Sequence, residues 1–142
     1  MLRDVLDLQI IKFLENMKYC IIFMLMFTNT YSQKNNMIIR IAELEIETDF
    51  IENYKSILKE EANASVKLEK GVISIFPMYQ KENPAKVRIL EIYANKEAYE
   101  SHLKTPHFLK YKTSTGKMVK SLQLIDMESL DPETMNQIFR KL

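Results

Sequence analysis

The segment Lys86–Ala94 (KVRILEIYA) has no breaker and is apolar on both sides of a strand. Val87, Ile89 and Tyr93 fall on one face, Leu90 and Ile92 on the other. Met37–Ile46 repeats the pattern, with Ile38, Ala42, Leu44 and Ile46 opposing Ile39 and Ile41. In an antiparallel sheet backed by helices, only the helix side should be apolar. A chain with two doubly apolar strands must therefore cover its sheet twice.

The rest of the chain supplies one cover. After the first strand, Thr48 or Asp49 is placed to cap a helix carrying Phe50, Ile51, Tyr54, Ile57, Leu58, Ala62 and Val66 at helical spacing. Gly71 follows, where a helix end favours a residue free to take positive φ. Val72–Gln80 reads as a strand, and Pro77 restricts it to an edge or a bulge. Lys81-Glu82-Asn83-Pro84 is a turn, and Lys86–Ala94 comes next. Asn95 caps a helix to about Leu103. Thr105-Pro106 restarts one bearing Phe108, Tyr111 and Met118, with Gly116 a weak point in it. Ser121–Glu128 is a last strand, and Asp131-Pro132 opens a short C-terminal helix to about Lys141.

The order β-α-β-β-α-β predicts an α+β, ferredoxin-like fold with a four-stranded antiparallel sheet and its helices on one face. No remaining element is long enough to cover the second face, so a homodimer with sheets packed face to face, a dimeric α/β barrel, is expected.

Residues 1–36 differ in composition from the rest of the chain. The apolar run Tyr19–Phe27 is too short to span a bilayer, which takes about 20 residues. With Lys18 before it and Thr30-Tyr31-Ser32 after it, residues 17–32 read as a signal peptide starting at Met17. That predicts secretion or a periplasmic location, with a cytoplasmic one if the signal is unused. The alternative is an amphipathic helix through Leu2, Val5, Leu6, Ile10 and Phe13, then a buried one. Residues 37–142 form the single domain.

Charge excludes some partners. With 20 basic and 19 acidic residues and no basic stripe, nothing draws the chain to nucleic acid. Cys20 is the sole cysteine, and two histidines without HExxH or CxxC give no metal motif. Both histidines lie beside Pro106. His102 falls one turn after Tyr99, and His107 lies just past the proline. An imidazole takes and returns a proton near neutral pH, so both are candidate catalytic groups. The competing role is to fix the corner between two helices by hydrogen bonds. Glu91 sits among apolar strand residues, where a carboxyl needs a partner such as Arg40 or Arg88. Phe76, Tyr93, Tyr99 and Phe108 could line an aromatic pocket, with Tyr79 and Tyr111 beside them, or could be plain core.

The run Leu90-Glu91-Ile92-Tyr93, then Tyr99-Glu100-Ser101-His102-Leu103-Lys104-Thr105-Pro106-His107-Phe108, resembles the antibiotic biosynthesis monooxygenase family. Ser65-Val66-Lys67-Leu68-Glu69-Lys70-Gly71 is similar to that family's Ser-x-x-x-Glu-x-Gly segment, and Asn83-Pro84 to its hairpin turn. Within that family the run resembles the quinol monooxygenase branch. The resemblance implies a small dimer that uses no flavin, haem or metal and oxygenates a small aromatic or quinol-like substrate with molecular oxygen. His102 and His107 are then the catalytic candidates, and Glu91, Tyr93, Tyr99, Phe108 and Phe76 the substrate-binding ones. It also leaves open an isomerase or decarboxylase using the same pocket, or a dimeric small-molecule-binding module without turnover.

Overall fold

A computed structural model describes residues 37–141. The expected signal peptide at 17–32 and the helical alternative before it lie outside the described residues. The strands are β1 (Ile38–Ile46), β2 (Val72–Tyr79), β3 (Lys86–Tyr93) and β4 (Val119–Met127). The helices are α1 (Ile51–Leu68), α2 (Lys96–His102), α3 (Pro106–Thr115) and α4 (Pro132–Phe139). The sheet is antiparallel in the order β2-β3-β1-β4, the expected split βαβ arrangement. Among the described residues no helix is long and apolar enough to cross a membrane.

The β1–β3 register pairs Ala42 with Ile89 and Leu44 with Val87, putting these four side chains on the helix side. There they meet Tyr54, Leu58 and Ala62 of α1 in the buried core. Val66, expected on the same stripe, is 48% exposed. Steps of four residues drift about 40° around a helix, so the series 54, 58, 62 has rotated off the sheet by position 66. Glu61 and Ser65 take the inner positions there instead.

Several ends are set as the sequence predicts. Asn95 accepts a hydrogen bond from the Ala98 amide at 2.8 Å, Thr105 from Phe108 at 3.4 Å and Asp131 from Glu133 at 3.0 Å. Pro77 lies on an edge strand, because β2 pairs with β3 alone, and that strand carries a register shift between Val72 and Ser74. The start of α1 differs. Neither Thr48 nor Asp49 caps it; a 3-10 turn, Thr48–Phe50, leads in, with the Phe50 amide donating to the Glu47 carbonyl. The second helix of the pair ends at Thr115 with Gly116 as its cap, so Met118 enters the core from the following turn.

Gly71 also has a different reason from the one expected, since no glycine has positive φ. A Cβ there would stand 2.4 Å from the Ala98 Cβ of α2. The missing side chain lets α2 lie against the β2 entry, where the Ala94 amide donates to the Gly71 carbonyl at 2.8 Å. Gly71→Ala is expected to lose about 1–3 kcal/mol by overpacking. Thermal melting checks this, and an unchanged melting temperature would mean that α2 moves aside freely.

The far face of the sheet carries Ile39, Ile41, Leu90 and Ile125 at its middle, with Ile41 paired to Leu90 on one side and Ile125 on the other. Phe76 and Met127 widen it and are 58% and 47% exposed. The second apolar face read from the sequence is thus real, with its middle partly buried and its margins exposed.

Candidate active site

Four of the described segments converge on one buried polar cluster. The end of α1 brings Glu61 and Glu69, β3 brings Glu91 and Tyr93, α2 brings Tyr99 and His102, and α3 brings His107, Phe108 and Tyr111. The break at Thr105-Pro106 makes this possible. The Thr105 hydroxyl donates to the His102 carbonyl at 2.8 Å, turning the chain so that His107 comes back toward His102. Their ring centres are 6.4 Å apart.

Glu69 joins the two. Its Oε1 is 3.0 Å from His102 Nδ1 and 2.6 Å from His107 Nε2. His102 is 2% exposed. Its ring lies 4.7 Å from that of Phe108 and 5.4 Å from that of Tyr93. Tyr99 packs edge-on against Tyr93 at 5.2 Å and receives the Arg40 guanidinium over its own ring at 4.8 Å. On the α1 side, Ser65 donates to Glu61 Oε1 at 2.7 Å, and that oxygen stands 3.8 Å from His102 Nε2. Tyr54 and Tyr111 join hydroxyls at 2.7 Å nearby.

Six of the seven sequence-predicted site residues therefore meet: His102, His107, Glu91, Tyr93, Tyr99 and Phe108. Phe76 does not. It pairs with Leu90 across the ladder, and strand alternation turns it to the far face. Glu61 was missed, although a carboxyl on the apolar stripe of α1 between Leu58 and Ser65 was its signal. Glu69 stood in the quoted motif without a role.

Burial dominates the electrostatics. Removal from water holds the carboxyls of Glu61 and Glu91 above the usual range; the Ser65 hydroxyl on Glu61 and the Tyr93 hydroxyl on Glu91, at 3.1 Å, oppose it. The Tyr54 and Tyr93 hydroxyls are raised by the same desolvation, and that of Tyr111 to about 12. Arg40 lies opposite Glu91 in the ladder, but its Nε bonds Asp126 at 2.7 Å, and Arg88 pairs with Glu43 at 2.8 Å.

A raised folded-state value for Glu91 means that the neutral form is favoured in the fold. Its contribution is complete below the unfolded carboxyl value of about 4.3 and is lost as pH rises through the folded value. Glu91→Gln is accordingly expected to raise the melting temperature at pH 7 and to change it little at pH 4. Melting the variant at both values tests this, and a variant less stable at pH 7 would contradict it.

Glu69, His102 and His107 offer ligand atoms within 4.8 Å of one another, and such donors suit a divalent ion. Their contacts have hydrogen-bond lengths. Donors around a tetrahedral ion with bonds of about 2.1 Å stand roughly 3.4 Å apart, wider than the 2.6 Å between His107 and Glu69. The trio is a hydrogen-bonded clasp.

Residues 37–114 match the family model described as antibiotic biosynthesis monooxygenase. A Bacteroides thetaiotaomicron crystal structure, classed by name with these monooxygenases, is 45% identical with a TM-score of 0.68, over 68% of this chain and 92% of its own. A Lactobacillus acidophilus structure, classed by name with the monooxygenases, is 30% identical with a TM-score of 0.65, over 67% of this chain and 45% of its own. A Nitrosomonas europaea structure shares the fold at 18% identity and a TM-score of 0.65, over 70% of this chain and 95% of its own. No curated protein matches the chain. The fold and these matches define a ferredoxin-like α+β protein. The chain belongs to the antibiotic biosynthesis monooxygenase family.

Proposed function

We propose that the protein is a cofactor-independent monooxygenase of a small aromatic or quinol-like substrate, working as a homodimer with His102 as the base. The observation that carries this is an imidazole 2% exposed, set against the Phe108 and Tyr93 rings. Such surroundings suit a flat aromatic molecule. A hydroquinone that gives up a hydroxyl proton becomes electron-rich enough to react with oxygen. Hydroquinone plus O2 then gives hydroxyquinone plus water. The substrate supplies all four electrons, one oxygen atom enters the ring, and the other leaves as water. The protein need supply a base, an apolar enclosure and hydrogen bonds to the developing phenolate.

The apolar far face supports the dimer, since covering several such side chains is worth several kcal/mol at about 25 cal/mol per Å2. With the leader at 17–32 in use, the enzyme acts outside the cytoplasm; sequencing the N-terminus of protein from its native host tests that. Oxygen uptake with a panel of hydroquinones, with products identified by mass, tests the reaction. Uptake in 1:1 ratio to a hydroxylated product is expected, and none with any member would overturn the reading. One observation favours a second reading, a dimeric binding module without turnover. The Glu69 carboxylate ties the end of α1 to the α2–α3 corner through both imidazoles, which gives both histidines a purely structural task.

A further inference from the structure

The fold brings Glu69 to both histidines, and the chemistry of its one contacting oxygen says what it does there. A carboxylate oxygen accepts hydrogen bonds, so each nitrogen facing Glu69 Oε1 carries its ring proton. For His102 that nitrogen is Nδ1, at 3.0 Å. A neutral imidazole has one N–H, so its Nε2 then holds the lone pair. For His107 the arrangement is reversed, with Nε2 protonated, at 2.6 Å, and Nδ1 free.

The surroundings of His102 Nε2 fit that assignment. It makes no hydrogen bond among the described residues, and the nearest carboxylate oxygen, Oε1 of Glu61, is 3.8 Å away. That is too long for a hydrogen bond. The groups around the ring are Glu61 of α1, Glu69 just past its end, Glu91 and Tyr93 of β3, and His107 and Phe108 of α3. None of these is a cation apart from His107 when protonated, and the Glu69 oxygen lies between the two imidazoles.

We propose that Glu69 is a positioning residue: its one oxygen fixes the tautomers of both histidines, makes Nε2 of His102 the proton-accepting atom, and pairs with the imidazolium that forms. The catalytic part of this rests on the monooxygenase function proposed for the site, while the tautomer part stands without it. In the proton step the substrate hydroxyl O–H bond breaks and its proton joins His102 Nε2. The electron pair stays on the phenolate oxygen, and the positive charge on the ring faces the Glu69 carboxylate.

The chain holds only two histidines, so protein labelled with 15N at histidine gives two separable imidazole spin systems. In wild-type protein at a pH where the rings are neutral, one ring should be Nδ1-protonated and the other Nε2-protonated, with His107→Gln assigning the remaining signal to His102. Glu69→Gln keeps an accepting oxygen of the same shape but loses its charge. It should preserve both tautomers and the melting temperature while lowering kcat at least about tenfold, with KM little changed. Glu69→Leu should leave the two rings as tautomer mixtures. The proposal is overturned if wild-type His102 is Nε2-protonated, if Glu69→Leu leaves both tautomers fixed, or if Glu69→Gln retains full kcat. Absence of turnover in wild type, with the tautomers as stated, would remove the proposed function and the catalytic role of Glu69 but leave its tautomer role standing.

Discussion

Removing the imidazole of His102 is expected to lower oxygen uptake with a responsive hydroquinone by about 10²–10⁴-fold, the range a positioned general base supplies. His102 is buried and bonded to Glu69, so His102→Ala also opens a hole beside Phe108 and Tyr93 and loosens the α2–α3 corner. His102→Gln is the more discriminating variant. Its amide still donates toward Glu69 and fills much of the space, but it accepts no proton at neutral pH. A folded Gln variant with the same loss of kcat, by circular dichroism and oxygen electrode, assigns the loss to proton transfer. A folded variant with undiminished uptake takes His102 out of the mechanism. His107→Gln, read in the same assay, separates the two histidines. The His107 side chain is 19% exposed and that of His102 3%, and the proposed proton step gives His107 no contact with the reacting atoms.

The second large effect concerns assembly. Ile41 lies at the middle of the far face, flanked by Leu90 and Ile125 in the register of the two neighbouring strands. In a face-to-face pair, Ile41→Asp places two like charges close together in an apolar layer. An unpaired buried carboxylate there costs several kcal/mol, enough to shift dimer to monomer at micromolar concentration. Light scattering after size exclusion should give a dimer for wild type and a monomer for the variant, with the same far-ultraviolet spectrum. A wild-type monomer, or a variant that stays dimeric, would mean that this face is not the contact. The helix-side residues Leu122 and Leu124 of β4 are exposed as well, 56% and 50%, but they form a strip at one edge of the sheet rather than a face.

The far face and the histidine corner differ in how local their signals are. Strand alternation is local, so the doubly apolar character of Met37–Ile46 and Lys86–Ala94 was visible from side chains two residues apart. The caps at Asn95, Thr105 and Asp131 were visible for the same reason, since each side chain bonds an amide within three residues. Phe76 shows the limit. Period-2 alternation says which residues share a face, but the face is set by pairing, and the shift between Val72 and Ser74 changes parity along β2. Gly71 shows another. Its need for a bare backbone arises from Ala98, a residue 27 positions on that no local pattern connects to it.

Local pattern along the chain set the order of elements, the two-faced sheet, the corner at Pro106 and the presence of two imidazoles there. Those follow from short-range sterics, hydrogen bonding and periodicity. Three-dimensional packing alone established that Glu69, 33 residues before His102 and 38 before His107, reaches both with one oxygen, and that Glu61 faces the other nitrogen of His102. The reason is that a buried carboxyl finds its partner through the packing of α1 against the α2–α3 corner, and that packing is fixed by the whole core.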